Sequence, residues 1–129
     1  MTMAQRAKTI IDNAISKNKW PVNGVYCYNI PSNVQDDTTT TVICITEVND
    51  MPTTYGSDCS TEMQETVAVN IYYANDSTVN MDDLEQNIIT AFESEQWYCV
   101  YSPGHSLDPD TEQVTKVLQF QKLMKRKEI

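Results

Sequence analysis

The segment "EMQETVAVNIYYA" constrains the fold most. Val67, Val69, Ile71 and Tyr73 alternate with Thr66, Ala68, Asn70 and Tyr72. Successive side chains of a strand point to opposite faces, so this period of two marks a strand with one face in a core. A helix would need its apolar residues three and four apart. "TVICITEV" (Thr41 to Val48) is a near-continuous apolar run, expected to be a strand covered on both faces at its centre, and "QVTKVLQFQKL", where Val114, Lys116, Leu118 and Phe120 alternate with Thr115, Val117 and Gln119, reads as a long strand with a mixed inner face. "VYCYNI" (Val25 to Ile30) and "WYCVYS" (Trp97 to Ser102) have the aromatic and β-branched composition of strands.

Two stretches keep helical time instead. Ala7, Ile10, Ile11, Ala14 and Ile15 form one stripe of a helix from about Ala4 to Lys17, ended by Pro21 and Gly24. Asn80 caps a second helix ending near Gln96, with Asp82 and Asp83 in its first turn and Leu84, Ile88, Ala91 and Phe92 facing inward. "PSNVQDDTTT" reads as a polar loop. The expected fold is α+β, a mostly antiparallel sheet of about five strands with two helices on one face, in the order α-β-β-β-α-β-β. One domain spans residues 1–129, with a long polar loop at about 49–64 and a basic C-terminal tail at about 122–129.

Charge is unevenly spread. The chain carries nine Lys and Arg against 18 Asp and Glu, a net charge of -9. Every base lies before Trp20 or after Thr115, whereas sixteen of the acids lie between those residues. A surface built from that interval repels phosphate backbones, so a nucleic-acid-binding domain is disfavoured. No apolar run is long enough for a membrane-spanning helix, and the first twenty residues lack a secretory pattern.

Chemistry is sparse. His105, the sole histidine, lies in "SPGHSLDPD" beside Ser102, Ser106, Asp108 and Asp110. Catalytic triads are assembled from separate elements, so this proximity carries little weight and His105 reads as a surface turn residue. Cys27, Cys44, Cys59 and Cys99 have no zinc-ligand spacing and read as reduced, mostly buried thiols. Neither Asp36/Asp37 nor Asp82/Asp83 has the spaced ligands of a calcium loop. No catalytic residue, metal or cofactor is expected. The aromatic residues Tyr26, Tyr28, Tyr72, Tyr73, Trp97, Tyr98 and Tyr101 leave open a small acidic module that binds a protein or ligand.

"TEVND", "QETVAVNIYYA", "ITAFESEQWYC" and "DPDTEQVTKVLQF", in this order and spacing, resemble the tail-terminator (tail-completion) proteins of long-tailed phages or prophages of Gram-positive bacteria. The resemblance runs from the first helix to about Phe120. It implies a structural, non-enzymatic protein that forms a ring, typically a hexamer. Such a ring caps the tube of the major tail protein, stops its polymerisation and presents a joining surface to head-completion proteins. DNA passes through the lumen without specific binding. The implied location is the virion tail, assembled in the bacterial cytoplasm. On that reading Asp50, Asp58, Glu62 and Glu65 of the polar loop line the lumen or meet a neighbouring subunit. Lys122, Lys125, Arg126 and Lys127 are the basic residues expected at the subunit interface.

Overall fold

The computed structural model describes residues 1–35, 38–56, 59–75 and 79–125. In chain order the elements are α1 (Met3–Asn18), β1 (Gly24–Cys27), α2 (Ser32–Gln35), β2 (Val42–Gly56), β3 (Cys59–Tyr72), α3 (Met81–Ser94), β4 (Tyr98–Tyr101), β5 (Ser106–Leu107) and β6 (Val114–Lys125). The strands form one sheet in the order β1-β2-β3-β6-β4, with β5 paired to β6 off that path. β1 and β2 run parallel and every other pair is antiparallel.

The class is α+β, as the periodicities require. Among the described residues the sheet is mixed and has six strands, and there are three helices rather than two. Both additions are too short to leave a periodic trace. α2 is a single turn inside the stretch expected to be a loop, where Val34 and Gln35 donate to the Pro31 carbonyl at 2.9 and 3.0 Å. β5 has two residues.

Helix ends follow local chemistry. Thr2 and Gln5 form a capping box at α1, Thr2 Oγ1 accepting from Gln5 N at 3.2 Å and Gln5 Oε1 from Thr2 N at 2.9 Å. α1 stops at Lys19 (φ 54°, left-handed), two residues before the expected breaker Pro21. Asn80 Oδ1 caps α3 by accepting from Asp83 N at 3.2 Å.

The core lies between the sheet and the two long helices. Ile43, Ile45, Val67, Val69, Ile71, Leu118 and Phe120 point from the sheet towards Ala4, Ala7 and Ile11 of α1 and Leu84, Ile88 and Phe92 of α3. Phe92 stacks on Phe120 at 4.2 Å between centroids, and Trp97 meets the Phe92 ring edge-on at 6.3 Å. The opposite face of the sheet carries buried Val42, Cys44, Thr66 and Ala68 and half-buried Thr46, Asn70, Tyr72, Thr115, Gln119 and Gln121. No helix longer than α2 covers it among the described residues.

The largest correction concerns residues 49–64. The described residues of this stretch are strand, not loop: β2 and β3 are paired from Asn49↔Thr66 to Gly56↔Cys59 beyond a bulge at Val48. The basic tail also begins as strand, since Lys122–Lys125 complete β6 against Glu65–Glu62 of β3. Backbone ladders need no apolar side chains. Among the described residues of 49–64 only Ser60 is buried, so they show no alternation to read. Arg126 and Lys127 lie outside the described residues. No helix is long and apolar enough to cross a membrane.

Candidate interaction surfaces

A three-stranded arm grows out of the sheet. It consists of β2 from Asn49, β3 up to Glu65, and the last turns of pairing along β6. In β2 no residue from Asp50 to Gly56 is buried. The rows Met51–Gln64–Leu123 and Pro52–Met63–Met124 cross all three strands. Met51, Tyr55 and Leu123 are 56, 71 and 57% exposed, so the arm offers apolar side chains to solvent. The outer edge of β2 beyond Ile45 is unpaired by β1. Val48 bulges there and Pro52 lacks an N–H, two features that discourage indiscriminate strand addition.

The arm is anchored at its base by charge. Arg6 of α1 donates to both oxygens of buried Glu65 at 2.8 and 2.6 Å. Glu47 Oε2 accepts from Ala4 N at 3.3 Å at the start of the same helix. Partial burial raises the Asp50 carboxyl above its ordinary pKa; Glu65 and Glu47 push it the same way and Arg6 opposes them. Bonding to Glu65 likewise holds the Arg6 guanidinium in its charged form.

The expected site residues therefore meet differently from the sequence reading. Glu65 is satisfied by Arg6 of its own chain instead of a neighbour. Glu65 stands opposite Lys122, and Glu62 opposite Lys125, on adjacent strands. Lys122 Nζ donates to the Glu95 carbonyl at 3.0 Å and lies 5.9 Å from the Trp97 ring centroid. Of the expected acids, Glu65 thus has a charged partner within its own subunit. Asp50 and Lys125 remain exposed, and Glu62 is half-buried. Asp58, Arg126 and Lys127 lie outside the described residues.

His105 is more than a turn residue. Its Nε2 lies 2.7 Å from Glu85 Oε2, and Tyr73 donates its hydroxyl to the same oxygen at 2.6 Å. Burial, reinforced by Glu85, pushes the Tyr73 hydroxyl far above its ordinary pKa. Lys116, buried on the inner side of β6, donates to the Pro103 carbonyl two residues before His105. These contacts fasten the loop after β4 to α3 and the sheet. Glu85 escaped the sequence reading. It lies three residues before Ile88 and seven before Phe92, on the apolar stripe, and that position was the available signal.

A further polar feature is a groove of about 620 Å³ on the face of the sheet away from α1 and α3. Its floor is Cys44 and Thr46 of β2 and Asn70 and Tyr72 of β3. α2 walls one side, and Asp108 to Gln113 wall the other. Among the described residues no Lys, Arg or His lines it. Asp108 Oδ1 shapes the second wall by accepting from Asp110 N at 2.8 Å and Thr111 N at 3.3 Å. Burial raises the Tyr72 hydroxyl pKa, with Cys44 and Asp108 adding to the effect.

All four cysteines are free. Only Cys44 is buried; Cys27 and Cys99 are half-buried, and Cys59 at the hairpin end is exposed, against the expectation of buried thiols. The aromatics do not form one cluster. Tyr73 and Trp97 belong to the core, Tyr98 and Tyr101 are exposed on β4, and Tyr72 lines the groove. No group of three or more His, Cys, Asp or Glu suited to a metal occurs among the described residues.

Residues 3–125 match the family model described as "Protein of unknown function (DUF806)". The chain belongs to this family. The match takes in every DUF806 element described above, from α1 to the end of β6, so the arm and the groove both lie within the family's domain. No curated protein matches the chain.

Proposed function

We propose that this DUF806 protein is a structural assembly component, the tail terminator of a long-tailed phage or prophage. It acts as a ring of identical subunits on the end of the tail tube, halting tube growth and offering its other side to head-completion proteins. The observation that carries this reading is the arm. A β-sheet extension that leaves its own core and exposes Met51, Tyr55 and Leu123 is suited to a neighbouring molecule. In a ring each subunit contributes two different surfaces, and an arm at one end of a sheet supplies one of them. A net charge of -9 fits a lumen through which DNA slides without sticking.

The direct test adds purified protein to polymerising tail-tube protein and measures tube lengths by electron microscopy. The expected result is shorter tubes with a ring-shaped density at one end. Tubes of unchanged length with bare ends would overturn the proposal. A second reading, a small-ligand module, is favoured by the groove over Tyr72, and isothermal titration against cationic metabolites tests it.

A further inference from the structure

We infer that the groove on the open sheet face is the docking site for the basic end of β6 from a second copy of this chain. This rests on the oligomeric reading above and names the contact within it.

The groove selects for positive charge. Its wall carries Asp108 and Asp110, its floor presents amide and hydroxyl acceptors, and no cation lines it among the described residues. Tyr28 and Tyr72 add ring faces, which attract ammonium and guanidinium groups. The chain contains one matching run in sequence: Lys125, the last residue of β6, followed by Arg126 and Lys127.

The described cation of that run, Lys125, cannot enter the groove of its own subunit. The groove extends from Gln113, just before β6, to Thr46, which shares a row across the sheet with Ala68 and Gln119. Lys125 lies six residues beyond Gln119, or about 20 Å at roughly 3.3 Å per residue. That is several times the reach of a lysine side chain, so the occupant must come from another copy.

Donor and acceptor at opposite ends of one sheet make the contact heterologous. Each copy gives its basic end to the next and receives one from the previous, which closes a ring when the rotation permits. Because the contact is charged and peripheral, salt weakens it.

Charge exchange tests the inference. One full-length variant carries Lys125→Glu, Arg126→Glu and Lys127→Glu. The other carries Asp108→Asn, which keeps the turn-forming oxygen, and Asp110→Lys. Thermal melting confirms that both fold, and sedimentation velocity at about 0.1 M and about 1 M salt reads association. Each variant alone is expected to associate at least about tenfold more weakly than the wild type. An equimolar mixture recovers association, because the reversed end of one fits the altered groove of the other.

Two variants that associate like the wild type would overturn the docking while leaving the tail-terminator reading intact. A mixture that stays dissociated overturns it as well. Weakening by the groove variant alone assigns the groove to a different cationic partner and also sinks the proposal. A wild-type chain still monomeric at about 1 mM overturns it whatever the tube assay shows. Rings that depend on this contact but fail to cap tubes leave the docking standing and remove the tail-terminator reading.

Discussion

Replacing Arg6 with Ala tests whether the arm is held by one buried ion pair. Arg6 and Glu65 make two charge-assisted hydrogen bonds at 2.8 and 2.6 Å, with side chains 29% and 9% exposed. Breaking a fully buried pair costs roughly 3–5 kcal/mol, because the surviving charge is left without compensation. Arg6 is close to a third exposed, so water screens part of that cost, and about 2.5 kcal/mol is the reasoned value. Asp50 and Glu47 lie near enough to act on the same guanidinium, so its loss also leaves carboxylates facing one another. For 129 residues at about 2.1 cal/mol/K each, the melting temperature should fall by about 9 °C. The double variant Arg6→Ala/Glu65→Gln removes the stranded charge and should recover about half the loss. Hydrogen exchange adds the location: amides of residues 49–56 and 59–65 should exchange faster, while those of Val67–Ile71 hold. A cost below about 0.5 kcal/mol, typical of surface pairs, would refute the reasoning and show an arm that stands without α1.

Tyr73→Phe removes a donor from the buried Glu85 carboxylate and should cost about 1–3 kcal/mol by chemical denaturation; a neutral result would mean that the Glu85–Tyr73 bond contributes nothing net. Asp50→Asn should stabilise the protein at neutral pH. The folded-state pKa of Asp50 is raised, so its ionisation works against folding as pH climbs from the unfolded-state value of about 3.9 through the folded one. The gain should vanish near pH 2, where both states hold the proton, and an advantage that persists there would contradict this origin. Met51→Lys with Leu123→Lys should leave the melting temperature within about 2 °C yet weaken self-association, since both side chains are exposed. Exposed Cys59 should react first with a thiol reagent and Cys44 last, its thiol being buried and its pKa raised by that burial.

Side-chain pattern specified the central elements. Val67, Val69, Ile71 and Tyr73 had to share a buried face, and all four are fully buried. The stripe of α1 and the cap of α3 were equally legible, because capping and amphipathicity act over three or four residues. The helix-packed α+β class follows from these local facts. The arm was not legible. Polar residues such as Thr53, Glu62 and Gln64 look like a loop when burial is the signal, and here the partner strand supplied the order. β6 lies some sixty residues downstream of the hairpin, and only the folded sheet brings Lys125 opposite Glu62.

The charge map shows the same division. Its segregation into basic ends and an acidic middle was fixed by the sequence. Which pairs close within one chain, as Arg6 and Glu65 do, depends on how α1 lies across the sheet. His105, Glu85 and Tyr73 likewise come from three separate segments and meet at a single oxygen. Periodicity reports which face of an element is wet or dry. Contacts between distant segments arise only when packing sets the register, so they belong to the tertiary structure.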